Sequence, residues 1–201
     1  LNQRDEAVLD YVRWDMVRKG GEGAPAPDTV VPDLKPALAA SDLTVPAGLD
    51  FTGYDFALAG EPHRLSDYAV GERIDHVDGV TVEEAEHMMA TRLWQNTAKV
   101  HFDLTVRPEG RLIYGGHVIS MARALSFNGL ANAQMIVGIN AGAHANPCHA
   151  GDTIKAWSEV LDVAETAAPG VGAIRLRLVA MRGGTPFVLK GEDGRYAPDV
   201  L

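Results

Sequence analysis

Apolar and polar positions alternate along this chain with two different periods, and they divide it into helical and extended stretches. Ile174, Leu176 and Leu178 interleave with Arg175 and Arg177, the two-residue period of a half-exposed strand within 172–181. Segments 134–139, 152–163 and 186–190 read as further strands, and Arg73-Ile74-Asp75-His76-Val77 as a short one. Gly183-Gly184 fits a hairpin turn. Thr81-Val82-Glu83-Glu84 is a capping-box pattern, with Thr81 at the N-cap and Glu84 at N3. It predicts a helix to about Leu93 with Val82, Ala85, Met88 and Met89 as its buried stripe. A second helix should start near Gly116. Val118, Ile119, Met121, Ala122, Ala124, Leu125 and Phe127 cover most of its circumference, so it is expected to be buried nearly all round and to end at Asn128-Gly129. An apolar helix among antiparallel strands implies an α+β fold, with a curved sheet wrapped around one central helix.

Ahead of this region, Ala7 to Trp14 is rich in strand formers with partial alternation, and a helix is the weaker alternative. A lone strand cannot stand by itself, so it should pair with an element outside this sequence or pack on the main domain. Gly20, Gly21, Gly23 and the prolines from Pro25 to Pro46 read as an extended linker over residues 20–60. The main domain is then expected over 61–201.

The 201 residues suffice for one domain with a sizeable core. A net charge of −9 argues against nonspecific binding to nucleic acid or to an anionic membrane, both of which need basic surfaces. A local Arg or Lys cluster could still hold an anionic substrate. The one cysteine, Cys148, cannot form an internal disulfide and fits a reducing cytoplasm. His144, Cys148 and His149 lack the spacing of a structural zinc site and read as loop residues, so no metal is expected there.

Candidate chemistry gathers between residues 92 and 123. His101 can exchange a proton with water near neutral pH, the competing reading being a structural histidine. Asn96, five residues earlier, can hold water or cap a helix, but it cannot act as a base. Asp103 can orient His101 or sit on its own strand face. Gly116 can offer an N–H to a developing oxyanion at a helix N-terminus, the bland alternative being close helix–sheet packing. Tyr114, Gly115 and His117 flank it. Arg123, on the apolar helix, should meet either a substrate carboxylate or a core acid, and Arg92 is a second candidate for the carboxylate.

Gln95 to His101 resembles the catalytic motif of MaoC-like (R)-specific enoyl-CoA hydratases. Val100 and His101 match its aliphatic and histidine positions, Asn96 stands where that family has the catalytic aspartate, and Gly115-Gly116 replaces a His-Gly pair. The stretches 94–102, 112–120 and 124–133, with Ala150-Gly151-Asp152-Thr153 and Ala156 to Leu161, are similar to the subgroup of mesaconyl-CoA hydratases, also called β-methylmalyl-CoA dehydratases. The resemblance implies a hotdog fold, as part of a double hotdog or a homodimer, with residues 1–19 as the last strand of a preceding hotdog and the final strand of the second falling beyond Leu201. It also implies reversible dehydration of β-methylmalyl-CoA to mesaconyl-CoA. Either His101 works with Asn96 as a positioning group, or a full Asp-His dyad lies in the other domain. A hotdog thioesterase is the first rival, although residues 117–128 carry no acid; a noncatalytic acyl-CoA-binding domain is the second.

Overall fold

The two longest alternating segments pair with each other. In the computed structural model, which describes residues 1–15, 20–26, 28 and 30–201, β2 (Thr153–Glu165) and β3 (Gly172–Arg182) run antiparallel, with Trp157 opposite Val179 and Val160 opposite Leu176. Before them in the chain, β1 (Arg73–Thr81) adds to the other edge of β2, giving the order β1-β2-β3. The β1–β2 register slips between Asp75 and Gly79, where Val77 takes a φ of 50°. This bulge turns His76 into the interior, where its Nε2 meets Ser158 Oγ at 2.8 Å and its Nδ1 meets the Asn128 carbonyl at 2.7 Å.

Four helical segments accompany the sheet: α1 (Phe56–Ala59), α2 (Glu84–Leu93), α3 (Gly115–Leu125) and α4 (Phe127–Leu130). One face of α3 lies on the sheet. Val118 joins Val82, Ile113, Cys148, Ile154 and Leu201 in one core cluster. Trp157, Val179, Met181 and Val200 form a second, capped by Phe187, whose ring meets Trp157 edge-on at 5.6 Å.

Several expectations are corrected. The helix cap lies two residues later than Thr81. Val82 still pairs with the neighbouring segment, donating to the Asp152 carbonyl and accepting from Gly151 N–H, so extended backbone persists and Glu83 becomes the cap with Glu86 at N3. Two residues rotate a helix by about 200°. The buried stripe of α2 is therefore His87, Ala90 and Thr91, while Ala85 and Met89 face solvent. α3 is not buried all round either: Ile119, Ser120 and Ala124 are exposed, as is Phe127 just beyond it. Segments 134–139 and 186–190 form no strand; the second makes only an isolated bridge, Lys190 to Tyr196. Gly183 and Gly184 do turn the chain at positive φ, but no ladder strand follows them.

The chain divides into two units, Leu1–Leu34 and Lys35–Leu201. In the first, Asn2 Oδ1 accepts from Arg4 and Glu6 N–H in a local turn. Residues 7–15 are exposed and pair with no strand among the described residues, and residues 16–19 of the expected strand, with positions 27 and 29 of the expected linker, lie outside the description. In the second unit, part of the proline-rich stretch packs inward: Leu38 N–H donates to Asn140, and Tyr54 Oη donates to Asn132.

Candidate active site

Three segments converge at the start of α3: the end of α2, a 3-10 turn Lys99–His101, and the extended run Leu112–Tyr114 that leads into the helix. Every backbone N–H of that run has an acceptor. Leu112 donates to Val100, Ile113 to Cys148, and Tyr114 to the Nε2 of His87 at 3.1 Å. Tyr114 caps α3, and its carbonyl accepts from His117 and Val118 N–H. The N–H groups of Gly115 and Gly116 precede these first intrahelical bonds, at the positive end of the helix dipole.

His101 sits half-buried in its 3-10 turn rather than on a strand. Its Nδ1 lies 2.9 Å from the Leu112 carbonyl, which can only accept. In the neutral ring this places the proton on Nδ1 and leaves the lone pair on Nε2, the arrangement a general base needs. Its ring lies 6.2 Å from Tyr114 and 6.4 Å from His87.

Asp103 does not orient His101. Its carboxylate accepts from Thr105 N–H at 2.9 Å and Thr105 Oγ at 2.6 Å, bonds that hold it below the usual carboxylate range. The Leu112 carbonyl takes that orienting place. Asn96 closes the turn after α2: its N–H donates to Thr91, and its side-chain oxygen accepts from Ala98 N–H at 3.0 Å. Arg123 is eight residues beyond Gly115, about 12 Å along the helix. It pairs with no core acid among the described residues, donating instead to Ser126 Oγ at 2.8 Å and to the Ala133 carbonyl. Arg92 is exposed in the last turn of α2.

Around Tyr114 lies a ring cluster that sequence patterning did not assemble. Trp94, His87, His101 and His117 stand 5.9–6.2 Å from its centroid, and burial raises the Tyr114 phenol above its ordinary range. His117 is buried, with Nε2 3.5 Å from Glu86 Oε1. His87 is 1% exposed, and its pKa is pushed down to about 4 by burial first, then by His117 and His101. His144 lies over Gly115; a Cβ there would stand 1.8 Å from its Cε1 atom. His149 and Cys148 go elsewhere: the His149 N–H donates to Asp152, and burial pushes the Cys148 thiol up to about 11. Two signals could have found His87: a later cap, and its i, i+4 relation to Thr91.

No family model matches the chain. It is 75% identical over 203 residues to mesaconyl-CoA hydratase of Cereibacter sphaeroides, covering all of this chain and 59% of that protein. It is 55% identical over 210 residues to β-methylmalyl-CoA dehydratase of Chloroflexus aurantiacus, with the same coverage. The chain thus spans about three-fifths of the length of these relatives. Among solved structures, a putative MaoC domain dehydratase of Chloroflexus aurantiacus superposes with a TM-score of 0.84 at 54% identity, over 92% of this chain and 55% of that one. A Mycobacterium tuberculosis protein described as a double hotdog matches with a TM-score of 0.50 at 25% identity, over 73% and 43%. With its α+β architecture and this likeness along its whole length, the chain belongs to the MaoC-like hydratase and dehydratase family of the hotdog fold.

Proposed function

We propose that this chain contributes the catalytic half of a hydro-lyase that reversibly dehydrates β-methylmalyl-CoA to mesaconyl-CoA. The observation that carries the reading is the Leu112–Tyr114 run. One end fixes the His101 ring through the Leu112 carbonyl, and the other opens the helix whose first N–H groups are Gly115 and Gly116. A proton acceptor and oxyanion donors thereby share one short, fully hydrogen-bonded support.

In the hydration direction His101 Nε2 takes a proton from water as the water oxygen bonds to C3 of the enoyl thioester. The C2–C3 π electrons move toward the carbonyl, and the thioester oxygen gains charge as an enolate. Gly116 N–H stabilises that charge, an effect worth about 3 kcal/mol for a single well-placed donor. The imidazolium then returns its proton to C2. Dehydration reverses each step, with His101 as the acid for departing hydroxide. Asn96 keeps a side-chain N–H to hold the water, and Tyr114, Gly115 and His117 line the acyl end. For the substrate's free carboxylate, exposed Arg92 is preferred over Arg123, whose two terminal nitrogens each already donate within the fold. Asp103 remains a substrate contact only at the edge of the site. No step requires a metal or redox cofactor.

The exposed apolar face of α3 supports a second hotdog beside this one, within one longer chain or as a homodimer. No helix among the described residues is long and apolar enough to cross a membrane; with the acidic charge and the single cysteine, this supports a cytoplasmic enzyme without nucleic-acid or membrane partners. Incubation of the full-length protein with mesaconyl-CoA tests the reading. Loss of the enoyl-thioester absorbance without release of free CoA is expected. Release of CoA thiol would instead mark a thioesterase, and an unchanged spectrum a binding domain.

A further inference from the structure

His87 is one of the buried titratable groups that the proposed proton transfer leaves unused, and it is the one beside His101. His87 lies on the inner face of α2, almost inaccessible to solvent, yet its ring faces the reaction side of the fold, 6.4 Å from His101 and 5.9 Å from both Tyr114 and His117. Its Nε2 is the acceptor for Tyr114 N–H, a donor that elsewhere in the Leu112–Tyr114 run finds a backbone carbonyl. An imidazole thus replaces a carbonyl at the residue that caps α3.

Accepting from an N–H fixes the chemical state of the ring. Nε2 must carry a lone pair, so the ring is neutral with its proton on Nδ1. Thr91 Oγ lies 3.3 Å from the same Nε2 and can only donate there. Protonation would break the Tyr114 bond and place a cation against His101 and His117. Burial and those two neighbours oppose it, as does the Arg111 guanidinium, with Glu84 alone pulling the other way.

We propose that His87 is a positioning residue of the hydratase site: as a neutral acceptor it holds Tyr114, and through it sets the Gly115–Gly116 donors at a fixed distance from the His101 imidazole. This rests on the hydro-lyase reading. The two imidazoles grip the run at opposite ends, His101 at the Leu112 carbonyl and His87 at the Tyr114 N–H. Losing the second grip lets the helix start drift, and a drift of about 1 Å at a reacting centre costs on the order of 100-fold in rate.

The test compares His87→Phe, His87→Asn and His87→Gln in the full-length protein. The glutamine side chain places an acceptor near the Nε2 position, asparagine places it short, and phenylalanine has none. His87→Phe and His87→Asn should lower kcat for mesaconyl-CoA hydration by at least tenfold with KM within about twofold. His87→Gln should recover most of the loss. In parallel, hydrogen exchange of the Tyr114 amide should be fast in the Phe and Asn variants and slow in the wild type and the Gln variant. Wild-type kcat in a folded Phe or Asn variant would overturn the proposal, as would a Gln variant as impaired as the other two. If the wild type hydrates nothing, the reaction reading itself fails; a Tyr114 amide protected equally in all four proteins would then overturn the positioning role separately.

Discussion

Acid should unfold this protein through its buried histidines, and the size of the effect can be worked from His87. Its pKa is about 4 in the fold against an ordinary 6.5, with burial as the leading cause. Between those values the unfolded chain binds a proton that the folded chain refuses, so stability rises with pH and is lost as pH falls. The limiting slope is about 1.4 kcal/mol per pH unit, and integration from pH 6.5 down to pH 5 gives a loss of about 1.5 kcal/mol from this one group. His76, also lowered chiefly by burial, adds to the loss with the same sign. The hydrogen-bonded carboxylates Asp42, Asp50 and Asp103 act in the same direction but titrate lower, below this window. Urea unfolding at half-unit steps from pH 7.5 to 5 reads the slope. His87→Gln, which has no proton to gain there, should be flatter than wild type by about 1 kcal/mol per pH unit. Parallel curves for the two proteins would refute the assignment of a buried neutral imidazole at this position.

Three further outcomes follow from the packing. Gly129→Ala should cost about 1–2 kcal/mol in thermal unfolding, since φ there is 95° and the new Cβ would stand 2.9 Å from Ile74 Cγ2. Ser158→Ala should cost about 1–3 kcal/mol, because His76 Nε2 would be left buried without its 2.8 Å partner. Gly115→Ala should impair turnover by driving the His144 ring off the start of α3, and adding His144→Ala should restore much of it, a coupling read from a double-mutant cycle on kcat/KM.

The sheet was legible where alternation was long enough to pay for its own ladder: Ile174 to Leu178 and the run through Trp157 became β3 and β2. Segments 134–139 and 186–190 have the same strand composition but join no ladder, because strand composition does not by itself specify a pairing partner. The α2 cap went wrong because two overlapping acidic patterns compete, Thr81 with Glu84 and Glu83 with Glu86, and only the non-local pairing of Val82 with 151–152 decides between them. That shift of register hid His87 by assigning the wrong face to the core. At the site, His101 and Gly116 were visible as local chemistry ahead of a helix. What joins them was not, because the Leu112 carbonyl and the His87 ring arrive from separate segments. Arg123 shows the converse: an arginine on an apolar helix reads as an anion site or the partner of a core acid, and the bonds it makes within the fold go to a hydroxyl and a carbonyl oxygen instead of an acid.

The central claim is that the His101 imidazole moves the proton, and the initial rate of mesaconyl-CoA hydration by full-length His101→Asn against wild type tests it most directly. A fall of about 100-fold to 10,000-fold in kcat is expected, with the fold intact by circular dichroism. A variant that hydrates the thioester at the wild-type rate would contradict the account.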